Sequence, residues 1–210
     1  MSEVRQFFTA DIETVQIITK ENQPKTYTFK TANKIEKSPI TSEGKEVPLE
    51  VKGVRYSTKK AKNAYVGTDI KMTDNSFTPQ VFSVINGGTV TYDSDGTTFK
   101  SYEAPAIGEE EAKVKFDLVT YSPDLASNGD ILGYLKETYP YCEGTLTGYT
   151  QEDDKFLAPE FTIMSRPPKG VKGYKIEYVD SVPSLVMDEL GVFKAKMEGV
   201  REAKEVKVKK

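Results

Sequence analysis

The stretch Ser57-Thr58-Lys59-Lys60 has the spacing in which a lysine three residues on activates a serine hydroxyl for nucleophilic attack. That chemistry needs a companion Lys-Thr-Gly segment, and nothing resembling one follows. Asp93-Ser94-Asp95-Gly96 sets two carboxylates at alternate positions before a turning glycine, as the opening of a calcium loop does. Its register fails: Thr91 and Tyr102 stand where such a loop has its first acid and its closing bidentate glutamate, so the segment reads as a hairpin turn. Gly87-Gly88 lacks the G-x-G-x-x-G or G-K-[ST] surroundings of a phosphate cradle.

The chain contains no histidine, which removes the commonest general base and the commonest metal ligand together. Its one cysteine, Cys142, excludes an intrachain disulfide and a multi-cysteine zinc site, and reads as a small core residue. With 32 Asp and Glu scattered along the chain, no carboxylate pair stands out for glycoside hydrolysis, and the lack of tryptophan speaks against a sugar platform. The expectation is therefore no catalytic, cofactor-binding or metal-binding residues.

The elements that would carry any surface are clearest at Tyr65–Tyr92. Val66 to Thr73 alternates polar Thr68, Asp69 and Lys71 with apolar Ile70 and Met72, a half-buried strand. Phe77, Val81, Val84 and Ile85 then recur at helical spacing, leaving Gln80 and Ser83 for water. Ser76 or Thr78 is placed to cap, Pro79 suits a first turn, and Asn86-Gly87-Gly88 ends the helix before the strand Thr89–Tyr92. A helix this short must lie on a sheet.

Residues 13–19 and 26–32 read as a hairpin across Lys20–Pro24. Residues 34–63, broken by Pro39, Gly44, Pro48 and Gly53, read as a long loop or hairpin arm. Ala112–Ser122 is an amphipathic strand expected to end at Pro123. Asp130–Lys136 is expected to form one or two helical turns, and Val182–Leu190 another short turn. Strands are expected at Thr97–Tyr102, Gly144–Thr150, Phe156–Ser165 and Gly173–Asp180. The pattern predicts a mainly β, antiparallel sandwich or barrel with one flanking helix: a single domain over 1–193, then a basic extension over 194–210.

Charge follows that division. Residues 194–210 carry seven Lys/Arg and three Glu, so 1–193 carry 22 basic against 29 acidic residues, or −7. Such a body gives no prior for gripping duplex DNA. No stretch has signal-peptide or membrane-span character, so the expectation is a soluble protein made in the cytoplasm.

The string Gly67–Gly88, GTDIKMTDNSFTPQVFSVINGG, resembles the strand, helix and turn of major tail proteins, the tail-tube subunits of long-tailed bacteriophages. So do Gly144-Thr145-Leu146-Thr147-Gly148-Tyr149, Ala158-Pro159-Glu160-Phe161, Arg166-Pro167-Pro168-Lys169-Gly170 and Tyr174-Lys175-Ile176-Glu177-Tyr178, in matching order over about residues 64–183. The resemblance implies a β-sandwich subunit forming stacked, typically hexameric rings in the virion tail. It implies contacts with copies of itself and with tape-measure, terminator or baseplate proteins, and a lumen through which DNA passes without specific binding or any membrane. A conduit should repel DNA, and an acidic body agrees. The alternative is a monomeric β-sandwich ligand-binding or adhesion module, which would need an exposed aromatic or polar site on one subunit; an enzyme is the third reading.

Overall fold

The computed structural model describes residues 5–94, 96, 98–108, 113–145, 148–151, 153–154, 157–183, 185–187 and 193–195. At the centre of one layer is the long strand Ala64–Asp74, whose alternate residues Thr68, Ile70, Met72 and Asp74 are all buried while Lys71 stands in water. In chain order the strands are β1 (Thr14–Thr19), β2 (Thr26–Phe29), β3 (Ala32–Ser42), β4 (Val47–Val51), β5 (Val54–Lys59), β6 (Ala64–Asp74), β7 (Thr89–Tyr92), β8 (Phe99–Glu103), β9 (Phe116–Leu125), β10 (Ile131–Thr145), β11 (Tyr149–Thr150), β12 (Ala158–Ser165), β13 (Lys175–Val179), β14 (Leu185–Met187) and β15 (Phe193–Ala195). The helix α1 spans Pro79–Asn86.

Nine strands form one antiparallel sheet with the path β2-β1-β9-β10-β12-β6-β3, to which β11 adds beside β12 and β13 beside β10. The sheet does not close into a barrel. It doubles over into a sandwich because β10 changes partners along its length: Tyr134–Thr138 pair with β13, and Cys142–Thr145 pair with β12. At the change Pro140 interrupts the ladder and Tyr141 takes a positive φ of 53°. The Tyr141 amide donates to Asp117 Oδ1 at 3.0 Å, while Ser165 Oγ donates to the Pro140 carbonyl at 2.7 Å, so the bend leaves these groups satisfied. Val15, Ile17, Phe116 and Leu118 of one layer meet Ile70, Met72, Phe161 and Ile163 of the other in a single core.

Helix α1 covers an open end of that core. Pro79 occupies its first turn as expected, but Thr78, at the N-cap, makes no side-chain capping bond. Its covered face is Val81, Phe82 and Ile85, with Phe77 and Val84 half-buried, so the helix is rotated from the expected stripe toward Phe82. The hairpin β7–β8 causes this: Tyr102 meets Phe82 edge-on at 5.0 Å and donates its hydroxyl to the Gly87 carbonyl at 2.9 Å. Beneath the helix lies Gly144 of β10, where a Cβ would fall on the Ile85 carbonyl.

Four expectations are corrected. Asp130–Lys136 is not helical; it opens β10, turned back onto β9 by the Asn128-Gly129 turn, in which the Ala126 amide donates to the Asp130 carbonyl at 2.8 Å. Strand β9 runs through Pro123, which loses only one donor. Residues 34–42 are not loop but most of β3, an edge strand that tolerates Pro39 for the same reason. Leu185–Met187 pairs with Phe193–Ala195 as strands, so the expected short turn is absent there and the expected extension begins inside β15; residues 196–210 lie outside the described residues, as do Asp95 and Glu109–Glu111.

Candidate functional site

From the end of β3 at Ser42 the chain runs out into the hairpin β4–β5 and returns to β6 at Ala64. The turn is Lys52-Gly53, both at positive φ, as two-residue hairpin loops that follow strand twist require. Arg55 bridges to Glu50 at 3.4 Å across the pair. Val51 stands opposite Val54, and Val47, Leu49 and Val51 share a face by strand alternation. None of that face is covered: Val47, Leu49, Val51 and Val54 are 48–57% exposed and Tyr56 is 70% exposed. The hairpin's main contacts are internal. An isolated two-stranded hairpin is at best marginally stable in water, and this one leaves its apolar residues open to solvent.

Its charge differs from its surroundings. Residues 43–62 carry six Lys/Arg and three Glu, or +3, while the rest of 1–193 carries 16 basic and 26 acidic residues, or −10. The expected arm at 34–63 thus divides at Ser42 into an edge strand and a basic, apolar-faced hairpin.

Inside the sandwich lies a polar cluster that sequence reasoning missed. Lys37 of β3 is in register with Ile70 and so lies on the core-facing side, where its Nζ, on a side chain 26% exposed, reaches Glu137 Oε2 at 2.6 Å and Thr120 Oγ1 at 3.3 Å on the opposite layer. The Tyr139 hydroxyl donates to the same carboxylate at 2.8 Å and its ring stacks on Tyr174 at 5.7 Å. Burial, followed by the neighbouring carboxylate, pushes the Tyr139 phenol well above its ordinary range. The groups satisfy one another, and an inward-pointing charge on an edge strand discourages random edge-to-edge pairing. The only signal in the sequence was a lysine at a core-parity position.

The motifs with chemical spacing are not brought to any centre. Ser57 and Lys60 are exposed on and just beyond β5. Asp93, Ser94 and Gly96 lie in the β7–β8 connection, with the Gly96 amide donating to the Asp93 carbonyl at 2.8 Å. Cys142 is fully buried, and burial pushes its thiol up to about 12, which leaves it without nucleophilic character. Among the described residues no His, Cys, Asp or Glu grouping suits a metal. An open groove beside the β2–β3 connection, lined by Asp11, Ile12, Lys30, Asn33, Ile35 and Asn75, holds no aromatic ring.

One buried carboxylate stands out. Asp74, at the end of β6, accepts from the Ser76 amide through Oδ1, while Oδ2 lies within hydrogen-bond geometry of no donor among the described residues. Burial raises its pKa, opposed by the Thr31 hydroxyl and the Ser76 and Asn75 amides. On the exposed edges, the hydrogen bond from Lys34 holds Glu36 below the usual carboxylate range, and Lys175 does the same for Glu177.

No family model matches the chain, and no curated protein does. Among solved structures it is similar to a chain in the six-fold symmetrised cryo-EM structure of the anti-feeding prophage baseplate, with a TM-score of 0.37 and 8% identity over 84% of this chain and 97% of that one.

Proposed function

We propose that the chain is a non-enzymatic structural subunit of a bacteriophage tail tube, which assembles with copies of itself into stacked, hexameric rings enclosing the path of the genome. The observation that carries the reading is the β4–β5 hairpin: five exposed apolar residues on a basic arm with no support from its own subunit, beside a body of opposite charge. Covering such a face with a second copy removes apolar area from water at about 25 cal/mol per Å², and the charge difference draws the arm toward the acidic body of its neighbour. The ordered resemblance of residues 64–183 to tail-tube subunits supplies the kind of assembly. An acidic body repeated around a lumen repels the phosphate backbone, so DNA would move without ion pairs that must be broken at each step. The other tail proteins are its expected neighbours at the two ends of the tube.

Electron microscopy and sedimentation of the concentrated protein test this. Rings or tubes are expected, with proteolysis at Lys59–Lys62 fast in free subunits and slow in assemblies. A chain that stays monomeric at high concentration would overturn the reading and favour the ligand-binding module.

A further inference from the structure

Among the described residues the main sheet has four terminal strands. The two-residue β11 is held by β12, and β2 has β15 close beside it; the two longer bare edges are β3, held by β6, and β13, held by β10. Both bare edges carry the same tripeptide, Lys34-Ile35-Glu36 on β3 and Lys175-Ile176-Glu177 on β13. In each, the lysine and the glutamate bond to one another, at 2.6 Å and 2.5 Å. In each the isoleucine has core parity. Ile35 lies in register with buried Met72, and Ile176 lies in register with Glu137, the residue that receives Lys37 inside the sandwich.

Lys-Ile-Glu is complementary to itself only when the strands run antiparallel. That direction sets Lys34 against Glu177, Ile35 against Ile176 and Glu36 against Lys175, whereas parallel pairing would oppose lysine to lysine and glutamate to glutamate. Opposite charges facing across a ladder stabilise it and like charges destabilise it. The faces agree as well: both isoleucines fall on the core side and all four charges on the solvent side, so one copy's β13 extends the β3 layer of the next without a twist of face.

We infer that β3 of one copy pairs antiparallel with β13 of the adjacent copy, in the register that places Ile35 opposite Ile176. The inference rests on the ring reading above and names the contact that would join subunits within a ring. A two-fold β3–β3 contact would satisfy the same charges but would leave every β13 edge bare; β3–β13 pairing uses both of these edges in every copy and is the head-to-tail kind that closes rings. The hairpin is then free to act elsewhere.

Charge exchange tests the pairing. K34E/E36K and K175E/E177K each turn the facing charges into like pairs and are expected to raise the concentration needed for assembly by on the order of tenfold. Either variant alone should assemble poorly, the two mixed should co-assemble, and the chain carrying all four changes should recover. Thermal melts of the free subunits check that each variant keeps the fold. A β3–β3 contact predicts no effect from any of these, because an exchanged edge remains complementary to itself. As a second measurement, oxidation of an I35C/I176C chain should give a ladder of cross-linked oligomers, with neither single cysteine giving any; dimers from I35C alone would overturn the proposed partner. Tubes that form with unchanged concentration dependence in the exchanged variants would sink the pairing and leave the ring reading standing. A parent chain that does not assemble, together with an I35C/I176C chain that gives no cross-links, would sink the two together.

Discussion

Strands β4 and β6 are written in the same code and end in opposite surroundings. In β6 the alternate apolar residues Ile70 and Met72 are 0–1% exposed; in β4 Val47, Leu49 and Val51, at the same spacing, are about half exposed. Only the neighbours differ: β6 lies between β12 and β3 with a second layer across its inner face, while β4 has β5 as its one strand partner among the described residues. A period of two therefore states that a face wants cover, and not whether the cover is in the same chain.

The sharpest way to break that comparison is to disturb what covers the core. Gly144→Ala drives a Cβ into the Ile85 carbonyl, against backbone that cannot swing aside, and is expected to cost about 3 kcal/mol as α1 is pushed off the sheet. Urea titration should show the midpoint falling with unchanged slope; a variant as stable as the parent would mean the helix does not sit on β10.

A smaller effect is expected at the end of β6. The folded state raises the Asp74 pKa, so it holds that proton more tightly than the unfolded chain does, and stability falls as pH rises from the ordinary carboxylate range through the folded value. Asp74→Asn removes the buried charge and keeps Oδ1 as acceptor for the Ser76 amide, so it should gain roughly 1 kcal/mol at neutral pH and flatten stability against pH. A loss at pH 7, measured by denaturant titration, would mean that the carboxylate is used.

The smallest effect on folding, within about 0.5 kcal/mol, is expected from Leu49→Asp, because the residue touches nothing its own subunit needs. The same change should abolish or greatly weaken assembly in sedimentation. If it unfolded the chain instead, β4 would belong with β6 after all.

Much of the sandwich was legible because its hairpins are local: β1 turns back into β2 across Lys20–Pro24, and β7 pairs with β8 close by in sequence, where their residues say they must. What failed was decided at long range. Ile131, Leu132 and Leu135 have helical spacing, yet pairing with β9 makes them strand, and Ile131 and Leu132 stay exposed at its end. Phe82 falls outside the expected helix stripe because Tyr102, which covers it, comes 20 positions later, by numbering, from another hairpin. The hairpin itself was legible as something extended at 34–63, but not where it separates from β3, since Pro39 breaks a central strand and not an edge. The Lys37–Glu137 pair, 100 positions apart, left only the odd parity of one lysine to read.

For the assembly proposed above, strand β6 also has a consequence for growth. The hairpin enters at its first residue and the helix leaves just past its last, so 11 residues, roughly 33 Å of strand, separate the basic projecting end of the subunit from its capped end. A column built by hairpins reaching forward has a direction, like an arrow with head and tail. One terminus would present unused hairpins and the other unfilled receiving surface, so whatever seeds the column and whatever stops it must be different molecules, and extension at the two termini need not proceed at the same rate.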